Sequence, residues 1–193
     1  MAMREPSQAG TLRPPLFLTL SLARELGVLL CLSVMFPFLI HVIPVPETAK
    51  LGPRLLPMFY APLLAVLWGR APSAFGVAFL APWLNWALTS HPAPHGAVMM
   101  TVELLAFVSA LLALVERVGT RGFLAIPAYL SAMALAAVVA AIAPFLVDGR
   151  SALAWAAQTV ATGIPGMAIL ILINELALRC RPPGGSGGGP AAA

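Results

Sequence analysis

Long apolar runs separated by short polar or Pro/Gly-rich knots organise this chain, over about 16–43, 54–69, 72–90, 96–115, 122–147 and 152–178. A helix crossing the hydrocarbon core of a bilayer needs about 20 predominantly apolar residues, so each run predicts one transmembrane helix. The expected fold class is an all-α integral membrane protein, a compact bundle of six transmembrane helices. That membrane domain covers 1–181. The segment 182–193 is Pro, Gly, Ser and Ala with nothing to bury, and reads as a disordered tail. The first run continues well past the roughly 7–15 residues of a signal-peptide core and shows no small-residue cleavage site before Pro37. It is therefore expected to remain as the first helix.

Composition sharpens the class. Of 193 residues, 60% are apolar and 9% charged, with a mean hydropathy of +0.93, too little polar surface to cover a water-soluble fold. Charge then sets the orientation. With both termini cytoplasmic, the inner segments hold Arg4, Arg13, Arg24, Arg70, Arg117, Arg121, Arg179 and Arg181, against Lys50, Arg54 and Arg150 outside. This is the positive-inside bias, and the opposite orientation inverts it. The net charge of +4 is spread singly over helix ends with no basic stripe, so nucleic acid is not expected as a partner. Cys31 and Cys180 fall at different depths, and neither C-x-x-C nor H-E-x-x-H occurs. No disulfide, metal or cofactor is expected.

Once the helices are oriented, polar residues gather toward the outside. Arg54, Tyr60, Asn85, Trp86, Thr89, His91, His95, Glu103, Asp148, Trp155 and Gln158 fall in outer halves or outer loops. Toward the cytoplasm only Asn174 and Glu175 are polar within a span, close enough to the interface to snorkel. This asymmetry predicts a cavity open to the outside rather than a continuous channel. Glu103 is the focus, because a lone charge at the centre of a spanning helix costs roughly 2.5–3.5 kcal/mol on insertion scales. At helical spacing Met99 and Glu103 share a face. Glu103 can meet a ligand donor or hold helices together by pairing with Arg54 or a backbone amide, and Arg54 can equally snorkel or clamp an anionic ligand. His91 and His95, stiffened by Pro92 and Pro94, can hydrogen-bond a ligand, coordinate a metal centre such as the cobalt of cobalamin, or simply titrate in water. Trp83, Trp86 and Trp155 suit an interfacial belt, and Trp86 or Trp155 can stack on a planar ring.

Four segments in order carry a family resemblance: Leu67-Trp68-Gly69-Arg70-Ala71-Pro72-Ser73-Ala74-Phe75-Gly76, Ala81-Pro82-Trp83-Leu84, Thr89-Ser90-His91-Pro92 and Met99-Met100-Thr101-Val102-Glu103-Leu104. Over 51–114 the chain resembles the substrate-binding S components of energy-coupling factor (ECF) vitamin transporters. Ser90-His91 stand where such loops have Gly-Met, and Phe107-Val108-Ser109 replace a glycine after the acid. The resemblance implies a six-helix subunit of a bacterial or archaeal inner (plasma) membrane, without catalytic activity. Such a subunit captures a water-soluble vitamin or related small molecule outside and hands it to a membrane coupling subunit driven by two ATPases. The substrate-binding set expected is Arg54, Asn85, Trp86, His91, His95, Met99, Glu103, Trp155 and Gln158. No G-x-x-x-x-G-K-[ST] occurs, so ATP is expected to act through partners.

Ala23, Gly27 and Cys31 repeat every fourth residue, a stripe of small side chains that lets helix backbones approach closely in lipid. It is the expected docking face for the coupling subunit, with packing inside the chain as the alternative. Competing classes are a noncatalytic scaffold of envelope assembly and an intramembrane enzyme. Ser73, Ser90 and Ser109 lack a partnered histidine at membrane depth, and Glu103 stands alone without the clustered acids a diphosphate transferase needs.

Overall fold

The computed structural model describes residues 16–42, 51–68 and 70–180. The expected tail at 182–193, and with it Arg4, Arg13, Lys50 and Arg181, lies outside the described residues. Every regular element among them is helical: α1 (Leu16–Val42), α2 (Leu51–Leu55), a 3-10 turn (Pro57–Phe59), α3 (Tyr60–Trp68), α4 (Ala71–Thr89), α5 (Pro94–Val118), α6 (Ala125–Ile142), a second 3-10 turn (Pro144–Val147), α7 (Ala152–Thr162) and α8 (Ile164–Arg179).

Proline and left-handed residues set the boundaries. Pro72, Pro94 and Pro165 sit in the first turns of α4, α5 and α8, where a missing N–H costs nothing. Ser90, at φ 58°, ends α4 with its N–H on the Trp86 carbonyl at 2.8 Å. Gly119, at φ 72°, ends α5, a conformation that glycine adopts without strain.

Three helices are long and apolar enough to cross a membrane, Leu20–Ile40, Pro94–Val118 and Ala125–Ile142, and the pair Pro144–Thr162 with Ile164–Arg179 makes a fourth if its 57° bend counts as one broken span. The run at 54–69 is not a full-length helix. The left-handed Leu56 interrupts it, and the apolar part Pro57–Trp68 rises only about 18 Å against a core of about 30 Å. The run at 152–178 divides at Gly163, the shared cap of α7 and α8.

These two interruptions meet. A methyl group added at Gly166 would lie 2.6 Å from Leu56 Cγ and 2.8 Å from the Arg54 carbonyl oxygen. Only a glycine lets α8 pass the α2 backbone this closely.

The core lies among α3, α4, α5, α6 and α8. Along α6 the buried face is Ala125, Ala128, Ala132, Ala136 and Ala140, small residues at helical spacing that bring α5 and α6 together. Phe59 fills the centre, its ring edge-on to Phe107 and to Tyr129 at 5.2 Å each. Large side chains such as Leu153, Phe145 and Ile142 point away from the core, as lipid-facing residues do.

Polar side chains serve the backbone. Pro37 cannot donate an N–H to the Ser33 carbonyl one turn earlier. Asn85 Nδ2 donates to that carbonyl at 3.3 Å and to Ala81 O at 3.0 Å, tying α4 to α1. At the other end, Trp68 Nε1 donates to Ala177 O at 2.8 Å, a carbonyl of the last turn of α8 that no helical N–H fully serves. Asn174, expected to snorkel, is instead fully buried. Its Nδ2 donates to Arg121 O at 2.9 Å and Gly122 O at 2.6 Å, fastening α8 to the α5–α6 connection.

Candidate functional site

Glu103 lies in the middle of α5 and is only 9% exposed. Among the described residues it has neither a hydrogen-bond nor an ion-pair partner. The alternative lock with Arg54 is not formed: Arg54 is exposed on α2, and the ion pairs of the described residues are Arg70 with Glu25, and His95 and Arg150 with Asp148. Helix locking is carried by Asn85 and Asn174, which leaves Glu103 uncommitted.

Its polar neighbour is Tyr129 on α6, which sequence reasoning missed. The Tyr129 side chain is fully buried, its Oη has no hydrogen-bond partner, and it lies within electrostatic reach of the Glu103 carboxyl group. Gly163 faces it, since a methyl group there would stand 3.0 Å from Tyr129 Oη. One buried tyrosine in an alanine-rich helix was the available signal, because a buried phenol normally finds a partner.

The end of the bundle where α4 passes into α5 forms a second cluster. Thr89 Oγ1 donates to Asn85 O at 2.7 Å and accepts the His91 N–H at 3.2 Å, shaping the loop after α4. His95 Nε2 lies 3.3 Å from Asp148 Oδ1, so the start of α5 meets the turn after α6. Trp83 and Trp86 pack edge to face at 6.2 Å. Trp86, His91 and His95 are exposed.

The remaining expected site residues divide by burial. Met99 and Trp155 are buried, Gln158 is exposed, and Asn85 is buried with its amide donors spent on backbone carbonyls and Met58 Sδ. Glu103 lies two turns below His95, about 12 Å along α5. A ligand reaching both clusters must span that distance. No three His, Cys, Asp or Glu residues among the described ones converge as a metal site.

Ala23, Gly27 and Cys31 are all exposed, and nothing lies within 4 Å of a methyl group placed on Gly27. Among the described residues, no other helix packs on Gly27 of this stripe. An open groove of about 570 Å³ runs between α5 and α6, and Glu103 is not in its lining. Its hydroxyls, Ser109 and Ser131, already donate to Leu105 O and Pro127 O, so it offers little chemistry.

No protein-family model matches the chain, and neither a curated protein nor a solved structure matches it. Fold and composition define a multi-pass membrane protein, all-helical over the described residues, with an interior acid that has no partner among them.

Proposed function

We propose that this protein is a substrate-capture subunit of an ECF-type importer, lodged in a bacterial or archaeal inner membrane. It crosses the membrane six times, with its second crossing interrupted at Leu56 and its sixth at Gly163, and both termini face the cytoplasm. The pocket opens outward and binds a water-soluble vitamin or related small molecule. A membrane coupling subunit and two ATPases supply the energy.

One observation carries this reading. A carboxyl group withdrawn from water and left without a counter-charge lowers stability unless something else meets it, and in a membrane helix such a group marks a functional site. A scaffold has no use for this cost. An enzyme needs a second reactive group, and among the described residues no histidine is bonded to Ser109 or Ser73. The open face of Ala23, Gly27 and Cys31 supplies a surface where a partner helix can dock without disturbing the pocket.

Gly27→Leu separates the two roles. Because nothing among the described residues lies within 4 Å of a methyl group at that position, the substitution leaves folding and ligand affinity within a few fold of wild type. Co-purification with the coupling subunit, expressed together with it, is lost. Joint loss of ligand binding and association refutes a separate docking face.

A further inference from the structure

We infer that α7 is a hinged lid: this half-helix swings about Gly163 while α8 stays fixed, and uncovers the part of α6 between Tyr129 and the Pro144 turn. The inference stands on packing and goes beyond the capture reading, under which the lid admits ligand.

The fixed side is fastened at several points. Asn174 ties α8 to the α5–α6 connection, Trp68 ties α3 to it through Ala177 O, and Gly166 holds its first turn against the Leu55 and Arg54 backbone. One face of α8, from Gly166 through Leu170 and Asn174 to Ala177, is buried along its length. By contrast, no side chain of α7 bonds another element among the described residues: Thr159 Oγ1 donates to Trp155 O inside the helix, and Gln158 is exposed. Its packing on α6 rests on Trp155 and Ala156, the buried residues of α7. A segment with few buried apolar contacts and no cross-bonds opens at lower free energy than the rest of a fold.

Both ends of α7 are built to give. It meets α8 at 57°, and Gly163 at the junction has no side chain to resist a change of backbone angle. Pro165, two residues on, lacks the N–H that would bond Ala161 O one turn back. At the other end Asp148 and Gly149 are left-handed, at φ 56° and 70°, and the turn is folded back on itself by Gly149 N–H on Pro144 O at 2.9 Å and Arg150 N–H on Val147 O at 3.1 Å. Released, the four residues from Asp148 to Ser151 reach about 13 Å, which is slack for the tip of α7. A latch keeps the slack in: His95 Nε2 on α5 lies 3.3 Å from Asp148 Oδ1, and Arg150 Nη2 lies 3.9 Å from Asp148 Oδ2. All three side chains are exposed, so the latch is weak enough to open.

Double electron–electron resonance on the full chain in detergent, with Cys31 and Cys180 replaced by serine, tests this. Spin labels at Leu88→Cys and Leu153→Cys report on α7, and labels at Leu88→Cys and Val138→Cys report on α6 as control; all three positions are exposed. From Gly163 to Leu153 the arm is about 15 Å, so a change of bend of about 30° moves the α7 label by about 8 Å. The α7 pair gives a broad or two-peaked distance and the α6 pair one narrow distance. His95→Ala, which releases the turn, raises the second α7 population up to about fivefold, as an exposed ion pair allows. Trp155→Ala raises it further and leaves the α6 pair unchanged. Melting curves accompany each variant, and His95→Ala decides if Trp155→Ala does not fold. A single narrow α7 distance that neither substitution moves overturns the lid, as does equal broadening of both pairs, since the motion is then not that of α7. No ligand is used, so failure of the capture reading leaves the result intact.

Discussion

Replacing Gly166 by alanine tests the crossing of the two interruptions. The added carbon meets Leu56 Cγ at 2.6 Å, Leu55 C at 2.7 Å and Arg54 O at 2.8 Å, about 1 Å inside the ordinary contact distance for carbon. Two of the three atoms are backbone, so α2 or α8 must move. Overpacking of this kind costs typically about 1–3 kcal/mol, and the gain from removing a helical glycine returns about 0.5–1 kcal/mol. The net loss is on the order of 1–2 kcal/mol. At about 2–4 °C per kcal/mol for a chain of this size, the melting temperature in detergent falls by about 2–8 °C. Gly27→Ala is the control, because the same methyl group there meets nothing within 4 Å, and its melt stays level or rises slightly. If Gly166→Ala melts as high as Gly27→Ala, α2 does not lie against α8.

Asn85→Leu leaves the Ser33 carbonyl without its 3.3 Å donor, at a turn that Pro37 cannot serve, and lowers stability by about 1–3 kcal/mol, the cost of a buried unpaired acceptor, as read by denaturant or thermal melts. His95→Ala removes an ion pair exposed on both sides and shifts stability by less than about 1 kcal/mol, with most of the effect gone in high salt. A cysteine replacing Ala93 reacts with a membrane-impermeant reagent in intact cells, as the outer placement of the 89–95 loop requires. Labelling seen only after the inner membrane is opened reverses the topology.

The all-helical fold and the approximate extent of the helices were legible because apolar composition and Pro/Gly punctuation act locally. Pro72 and Pro94 mark helix starts whatever packs around them. The interruptions were not legible. Leu56 is left-handed where α2 lies against α8 at Gly166, and nothing in the local sequence of 54–69 encodes a partner more than 100 residues away. Glu103 was visible as a lone acid. Its lack of a partner was not, since Arg54 looked available until α2 was placed. Tyr129 and Asn85 traded roles for the same reason. Sequence shows which side chains are polar, but only the packing of α1 on α4 and of α6 beside Gly163 shows that Asn85 is occupied and Tyr129 is free.

The side from which ligand binds bears most directly on the capture function. Native mass spectrometry of the purified protein identifies the released small molecule, and that compound is then offered to sealed vesicles of either orientation. The account predicts a water-soluble compound that binds right-side-out vesicles and not inside-out ones, with binding lost in Glu103→Gln. Only lipid or detergent released from the protein, or equal binding from the cytoplasmic face, contradicts it.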